Sequence, residues 1–260
     1  MSVIAELSLP AFDVLWDDME LGAVPGFLQV RHHGETIAER ARIKAAVYVD
    51  LERRGLVRRG RTEPDLGDAL RLLAQHDIRL DAVALLDMAA TDPINAVVVA
   101  RGSYAVRAVQ RERSITLDHL RDTGLATAIT EVVPDNRPGT GRSVTMPVND
   151  LKAGQRAPVQ PSGGFTEAVR ASGGSRGQDE ARALAEIMAR PVLRTGQFGV
   201  TLKNPHGRVH QLPGVSWFDT EAGRYLNVIS PGPNGQDWVT VAPADNARIA
   251  QRLGQLLATA

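Results

Sequence analysis

Ser216-Trp217-Phe218-Asp219-Thr220-Glu221-Ala222-Gly223-Arg224-Tyr225 and Asp237-Trp238-Val239-Thr240-Val241-Ala242-Pro243-Ala244-Asp245 decide the fold class. Both runs lie within Gly196 to Ala260, which reads as five short strands closed by one amphipathic helix. The period is two: Phe198, Val200 and Leu202 point one way, and Gly199, Thr201 and Lys203 the other. Asn204-Pro205-His206-Gly207, Glu221-Ala222-Gly223 and Pro231-Gly232-Pro233-Asn234-Gly235 supply the turns between strands. Strands joined by such short turns must be antiparallel. Trp217 and Phe218 are adjacent and so face opposite sides, which leaves one of them to a covering helix or a partner. Pro243 starts the closing helix, whose apolar side carries Ile249, Leu253, Leu256 and Leu257.

Toward the N-terminus the same order of elements recurs. Pro10 opens a helix with Phe12, Leu15, Trp16 and Met19 on one face, stopped by Gly22, and a short extended piece follows at Phe27 to Val30. Thr36-x-x-Glu39 is a capping box for a helix running to Arg54 and Gly55, and a third helix opens near Thr62-Glu63-Pro64-Asp65. The period then switches to two. Ile78 to Ala84, Ala96 to Ala100, Tyr104 to Val109 and Ser114 to Leu117 read as strands, and Asp118 to Val132 as a helix. Pro134 to Arg142 and Lys152 to Gly164 read as loop and linker, with a short helix over Phe165 to Ser172. Ser175-x-x-Gln178 caps a further helix that carries Leu184, Ile187 and Met188 on one face and ends at Pro191. The predicted class is therefore α+β, an antiparallel β-sheet with flanking helices in two pseudo-twofold related halves. Residues 1–150 form the first half, 151–177 a linker with a short helix, and 178–260 the second half, the whole making one compact unit.

Composition narrows the function. The chain has 260 residues, 43% hydrophobic and 23% charged, within the range of ordinary soluble proteins. Thirty basic residues balance thirty acidic ones, so no global field draws in nucleic acid or anionic lipid. The absence of Cys excludes disulfides, thiolate metal sites and a Cys nucleophile together. Met1 to Leu9 lacks the basic and apolar regions of a signal peptide, and no stretch is long and apolar enough to span a bilayer. The expectation is a cytoplasmic, soluble protein.

No single motif announces chemistry. His206 and His210 have a ligand spacing, but Pro205 and Gly207 place them at a turn with no Glu beside either His, and His32-His33 reads as solvated loop. Gly214-Val215-Ser216-Trp217-Phe218 lacks the last glycine of a nucleophile elbow and leads into a hairpin. Gly139-Thr140-Gly141-Arg142 is a turn rather than a phosphate cradle. The basic run Arg53 to Arg61 suits a helix C-terminus capped at Gly55 and, as an alternative, phosphate contacts. Catalytic, cofactor and metal residues are thus assigned to none.

Several segments together resemble one family. The Ser216–Tyr225 and Asp237–Asp245 runs, Gly196-Gln197-Phe198-Gly199, the opening Leu7 to Trp16, and Glu63-Pro64-Asp65-Leu66 through Ala74 are similar to the EspG family of actinobacterial proteins associated with ESX (type VII) secretion. The likeness covers both ends and most of the middle, with Pro134 to Arg176 weakly matched. It implies a cytosolic, non-enzymatic chaperone without cofactor that binds helical secretion substrates such as a PE–PPE-like heterodimer at the apolar tip of the PPE helical bundle. It implies a pseudo-twofold fold and a partner that meets the sheet, C-terminal helices and the loop between the first two strands of the first half. That loop is Asp87 to Asn95 here, shorter than in well-studied members. The contacts expected on this basis are Met88, Thr91 and Ile94 on the loop, with Phe198 and Val200 on the sheet. No nucleic acid partner and no membrane insertion are expected, and the oligomeric state stays open, a homodimer included. The competing readings are a small-molecule hydrolase or transferase, which needs a polar pocket, and a nucleic-acid regulator acting through Arg53 to Arg61.

Overall fold

A computed structural model describes residues 2–149, 175–204, 206–232 and 235–259. The short helix expected over Phe165 to Ser172 and most of the linker fall outside them; residues 175–177 already belong to a helix. The first element is a strand rather than a helix: β1 (Ser2–Ser8) buries Ala5 and Leu7 and pairs along the edge of the sheet. Ser8 then caps α1 (Leu9–Asp18), its Oγ accepting from the Ala11 amide at 3.3 Å. Phe27 to Val30 forms turns rather than an extended piece. Thr36 caps α2 (Ile37–Arg53) as expected, the Glu39 amide donating to its Oγ1, but the return bond of the box is displaced by one residue: the Glu39 carboxylate accepts from the Glu35 amide rather than from Thr36. A two-stranded hairpin, β2 (Val57–Arg58) and β3 (Arg61–Thr62), links α2 to α3 (Pro64–Ala74), which Glu63 caps.

The four central strands of the first half are β4 (Ile78–Leu85), β5 (Ile94–Arg101), β6 (Tyr104–Gln110) and β7 (Ser114–Arg121). Asp118 to Arg121, expected as helix, completes β7; a 3-10 turn at Asp122–Gly124 then leads into α4 (Leu125–Thr130). The polar look of that segment has a structural cause. Asp118 is buried and accepts from Arg107 Nε and Nη2 at 3.0 and 2.8 Å, so a charge sits in a strand because its partner sits in the next one. β8 (Val144–Pro147) went unforeseen in a Pro/Gly-flanked stretch. α5 (Ser175–Met188) buries Leu184 and Ile187 but leaves Met188 half exposed. The C-terminal region then has four strands, not five: β9 (Arg194–Lys203), β10 (Val209–Thr220), β11 (Gly223–Pro231) and β12 (Asp237–Pro243), followed by α6 (Asn246–Ala258). Pro213-Gly214 does not divide β10; its pairing with β9 merely shifts between Leu212 and Val215.

Ten strands form one antiparallel sheet in the order β1-β7-β6-β5-β4-β9-β10-β11-β12-β8. Its seam is the pairing of β4 with β9, from Ile78 opposite Leu202 to Leu85 opposite Thr195. Outward from that seam each side runs through four consecutive strands and ends on an edge strand from elsewhere in the chain. One face is covered by α4 and α6, which pack together over Leu80, Ala82, Val98, Phe198, Val200, Trp217 and Leu226. The other face is covered unevenly. In the first half α1, α2 and α3 bury Trp16, Leu51, Leu70 and Leu73 against Val97, Val99, Val106 and Leu117. In the second half α5 sets Leu184 and Ile187 against Val144, Met146, Tyr225, Val239 and Val241, over the outermost strands alone. Among the described residues no helix is long and apolar enough to cross a membrane.

Candidate binding site

Among the described residues, the unevenness leaves the middle of the sheet bare on the second face. Side chains of β9 alternate, so placing Phe198 and Val200 under α6 turns Gln197 and Gly199 to the opposite side. There they join Asp81 of β4, Gln211 and Ser216 of β10 and Asn227 of β11, and the resulting groove encloses about 510 Å³. Pro213, Ile229, Pro231 and Asp237 form its far end. The floor opens at its centre because Gly199 has no side chain, and the Asp81 carboxylate lies over it: a Cβ there would come within 2.6 Å of Asp81 Oδ2. Beside it Arg79 donates from Nε to Asp81 Oδ1 at 3.1 Å and from Nη2 to Thr201 Oγ1 at 3.0 Å. The same guanidinium lies 5.2 Å from the Phe27 ring centroid, which ties this edge of the groove to the α1–α2 connection. Asn227 Oδ1 is buried in the lining without a hydrogen-bond donor.

The expected contact residues divide. Phe198 and Val200 are 1% and 0% exposed inside the core, so their side chains have no surface to offer; that expectation is corrected. The alternation of β9 holds, but its apolar side lies under α4 and α6 of the chain itself rather than facing a partner. Met88 lies in the 86–93 loop between β4 and β5, 49% exposed, and Thr91 is exposed beside it, its hydroxyl donating to Asp92 at 3.3 Å. Ile94 begins β5 opposite Ala84 and is half buried against the core. The loop opens at the end of the sheet where β9 begins, near exposed Leu193 and Met188. Gln197, Gly199, Ser216 and Asn227 were not singled out from sequence; the polar side of the same alternation was the signal available.

Apart from Ser216 and Asp237, which line the groove, the conspicuous C-terminal runs serve the core. Arg224 is fully buried, donating to Asp219 from Nε at 2.7 Å and from Nη2 at 2.9 Å. It donates also to the Pro134 carbonyl and to Asn246, and its guanidinium lies 4.3 Å from the Trp217 ring centroid. Asn246 in turn donates to the Thr130 and Val133 carbonyls at the end of α4. Tyr225 stacks on Phe218 at 5.3 Å and donates to the Thr140 carbonyl at 2.8 Å, while Gly139 admits its ring where any Cβ would collide. These residues lock the β10–β11 hairpin, the 134–140 loop and both helices of the first face into one unit.

The groove lining contains no histidine, and among the described residues no cluster of His, Cys, Asp and Glu could hold a metal ion. The groups with displaced pKa values lie elsewhere. Burial and the Asp18 carboxylate push Tyr48 up to about 12, and burial pushes His76 down.

A sheet floor left bare by the described residues, between helical walls, offers a binding surface on a single large antiparallel sheet. A family model described as the EspG family matches residues 8–255, and the chain belongs to that family. Its fold matches a chain of the solved structure of the Mycobacterium tuberculosis type VII secretion system chaperone EspG5 in complex with a PE25–PPE41 dimer. That match has a TM-score of 0.71 at 14% identity, covering 97% of this chain and 95% of that one. No curated protein matches.

Proposed function

We propose that this protein is a cytosolic chaperone of a type VII secretion system that holds a PE–PPE-like helical client by its exposed apolar tip. Membership of the EspG family supports the class. The observation that carries the reading is the floor of β4, β9, β10 and β11, which no described residue covers between the α1–α3 layer and α5. A groove of about 510 Å³ suits a few side chains at the end of a helical bundle. Such a tip gains roughly 25 cal/mol per Å² of apolar area covered, less the cost of association. Gln197, Ser216 and Asn227 offer it hydrogen bonds; Met88 and Thr91, with Leu193, extend the contact at the end of the sheet where β9 begins, whereas Ile94 packs toward the α4–α6 face. Methionine suits this work because its unbranched chain adapts to different tips.

The chaperone reading includes the absence of catalysis. Its support is that the lining combines Gly199, Gln197, Ser216 and Asn227 with a carboxylate, Asp81, that is already paired to Arg79. The mirrored strand order about the β4–β9 seam also supports a pseudo-twofold relation between residues 1–150 and 178–260. Co-expression with PE–PPE pairs encoded by the same genome tests the proposal. A stable complex with one pair is expected, and Ser216→Trp, which fills the groove from an exposed strand position, is expected to abolish it while leaving the unfolding midpoint unchanged. Complex formation by the tryptophan variant at wild-type affinity would overturn the site assignment.

A further inference from the structure

The hairpin of β2 and β3 carries three features that work against its own stability. Arg58 and Arg61 are direct cross-strand partners, so two like charges face each other on a two-stranded ribbon. Between them Arg59 and Gly60 have φ of 51° and 74°, the pair of left-handed residues that a two-residue hairpin turn requires. Asn-Gly is the favoured choice for such a turn, yet this chain places arginine at the first position, one of only two non-glycine residues with positive φ among those described. All three arginines are exposed, and none forms an ion pair with a described residue. Their neighbours are anchored: Val57 is buried, the Glu63 amide donates to the Leu56 carbonyl, and Arg54 is held by Asp50 and the Glu6 carbonyl. The tip is thus a rigid mount that holds three guanidinium groups together at a cost to the fold.

We propose that this hairpin is a docking tip for a short acidic segment of a partner protein. The chemistry selects carboxylates. Planar guanidinium forks pair with them in two parallel hydrogen bonds, and a like-charge cross-strand pair becomes favourable once an anion lies between its members. The size of the cationic spot selects a short segment. Exposed Glu52 and Asp65 flank the hairpin, so an extended polyphosphate or an anionic membrane would meet repulsion on both sides. No aromatic residue stands within the run Arg53 to Arg61 to stack on a base. The proposal is independent of the groove and of the client it holds.

The test uses the full chain, a labelled oligoglutamate peptide at low ionic strength, and, for comparison, anionic phosphatidylglycerol vesicles and duplex DNA. Binding of the peptide should be lost as salt is raised and should weaken at least about tenfold in the Arg58→Gln/Arg59→Asn/Arg61→Gln variant. Arg59→Asn alone should weaken the peptide several-fold and raise the denaturation midpoint, since asparagine tolerates the left-handed position; a structural arginine would give the opposite shift in stability. Failure of the wild-type chain to bind the peptide, equal binding by the triple variant, a lowered midpoint in Arg59→Asn, or tighter binding to vesicles or DNA would each overturn the proposal.

Discussion

The two halves of the sheet differ most on the face away from α4 and α6. In the first half three helices close it, and Val97, Val99, Val106 and Leu117 are wholly buried. In the second half a single helix reaches only the outer strands, and Gln197 and Ser216 stand exposed beside Asn227. The difference shows how one continuous sheet holds a fold and a function at once. Where both faces are covered the strands are nearly all apolar, as in Ala96 to Ala100; where one is bare they alternate. Function then belongs to the alternating strands and stability to the uniform ones. Each half also buries an ion pair, Arg107–Asp118 in the closed half and Arg224–Asp219 in the open one.

The sharpest way to test that comparison is to remove each pair in turn. Arg224→Ala leaves Asp219 buried without its fork of donors and is expected to cost about 3–5 kcal/mol, read as a lowered midpoint in urea. Arg107→Ala, on the closed half, should cost less, because Glu131 at 3.6 Å shows that its guanidinium already reaches the solvent edge. Equal losses would mean that the two halves are braced alike. Next in size is the contrast between neighbours on β9. Phe198→Ala should cost about 3–5 kcal/mol by opening a cavity under α6. Gln197→Trp, one residue away on the bare face, should change stability by no more than about 0.5 kcal/mol yet weaken a bound PE–PPE-like pair at least tenfold, about 1.4 kcal/mol, in a calorimetric titration.

Much of this arrangement was legible in the sequence. Alternation gave β4, β6 and the strands from β9 onward, turn residues gave their antiparallel sense, and Thr36 and Glu39 gave a helix start. Three elements were hidden by context. β1 becomes a strand only by pairing with β7, a contact more than a hundred residues away. Asp118 and His119 look like the start of a helix until Arg107 is placed beside them. Met188 shares the period of Leu184 and Ile187 but sits past the sheet edge that buries them. The site was hidden for another reason. Residues that make a bare sheet floor are small and polar, so they resemble any exposed strand, and only the placement of helices tells which alternating side is left open. The residues most visible in the sequence, Trp217, Arg224 and Tyr225, serve the core: Arg224 is held by Asp219 against the Trp217 ring, and Tyr225 by the Thr140 carbonyl.

At the end of the sheet where β9 begins the expected effects are smaller. Met88→Asp introduces a charge on the 86–93 loop where a half-exposed thioether stands, and should weaken client binding by about 1 kcal/mol with no change in the unfolding midpoint. Competition between wild type and variant for one labelled client reads that difference directly. A loss as large as that of Gln197→Trp would move the centre of the site from the sheet to the loop.

The boundary between the closed and open faces can be probed by pH. His76 sits at the end of α3, its Nδ1 3.2 Å from the Leu73 carbonyl and its ring edge-on to Phe27, near Arg79. Burial, opposed by that carbonyl and aided by the Arg79 charge, holds its pKa below the ordinary 6.5. A histidine with a depressed folded pKa binds its proton more readily in the unfolded chain. Its contribution to stability is therefore complete above pH 6.5 and is lost as pH falls from there through the folded value. His76→Gln removes this dependence. The urea midpoints of wild type and variant should accordingly converge, or cross, as pH falls from neutral into the acid range, with the wild type losing more. Parallel curves would mean that His76 is solvated, and that the Phe27–Arg79 wall of the groove is looser than the packing of α3 implies.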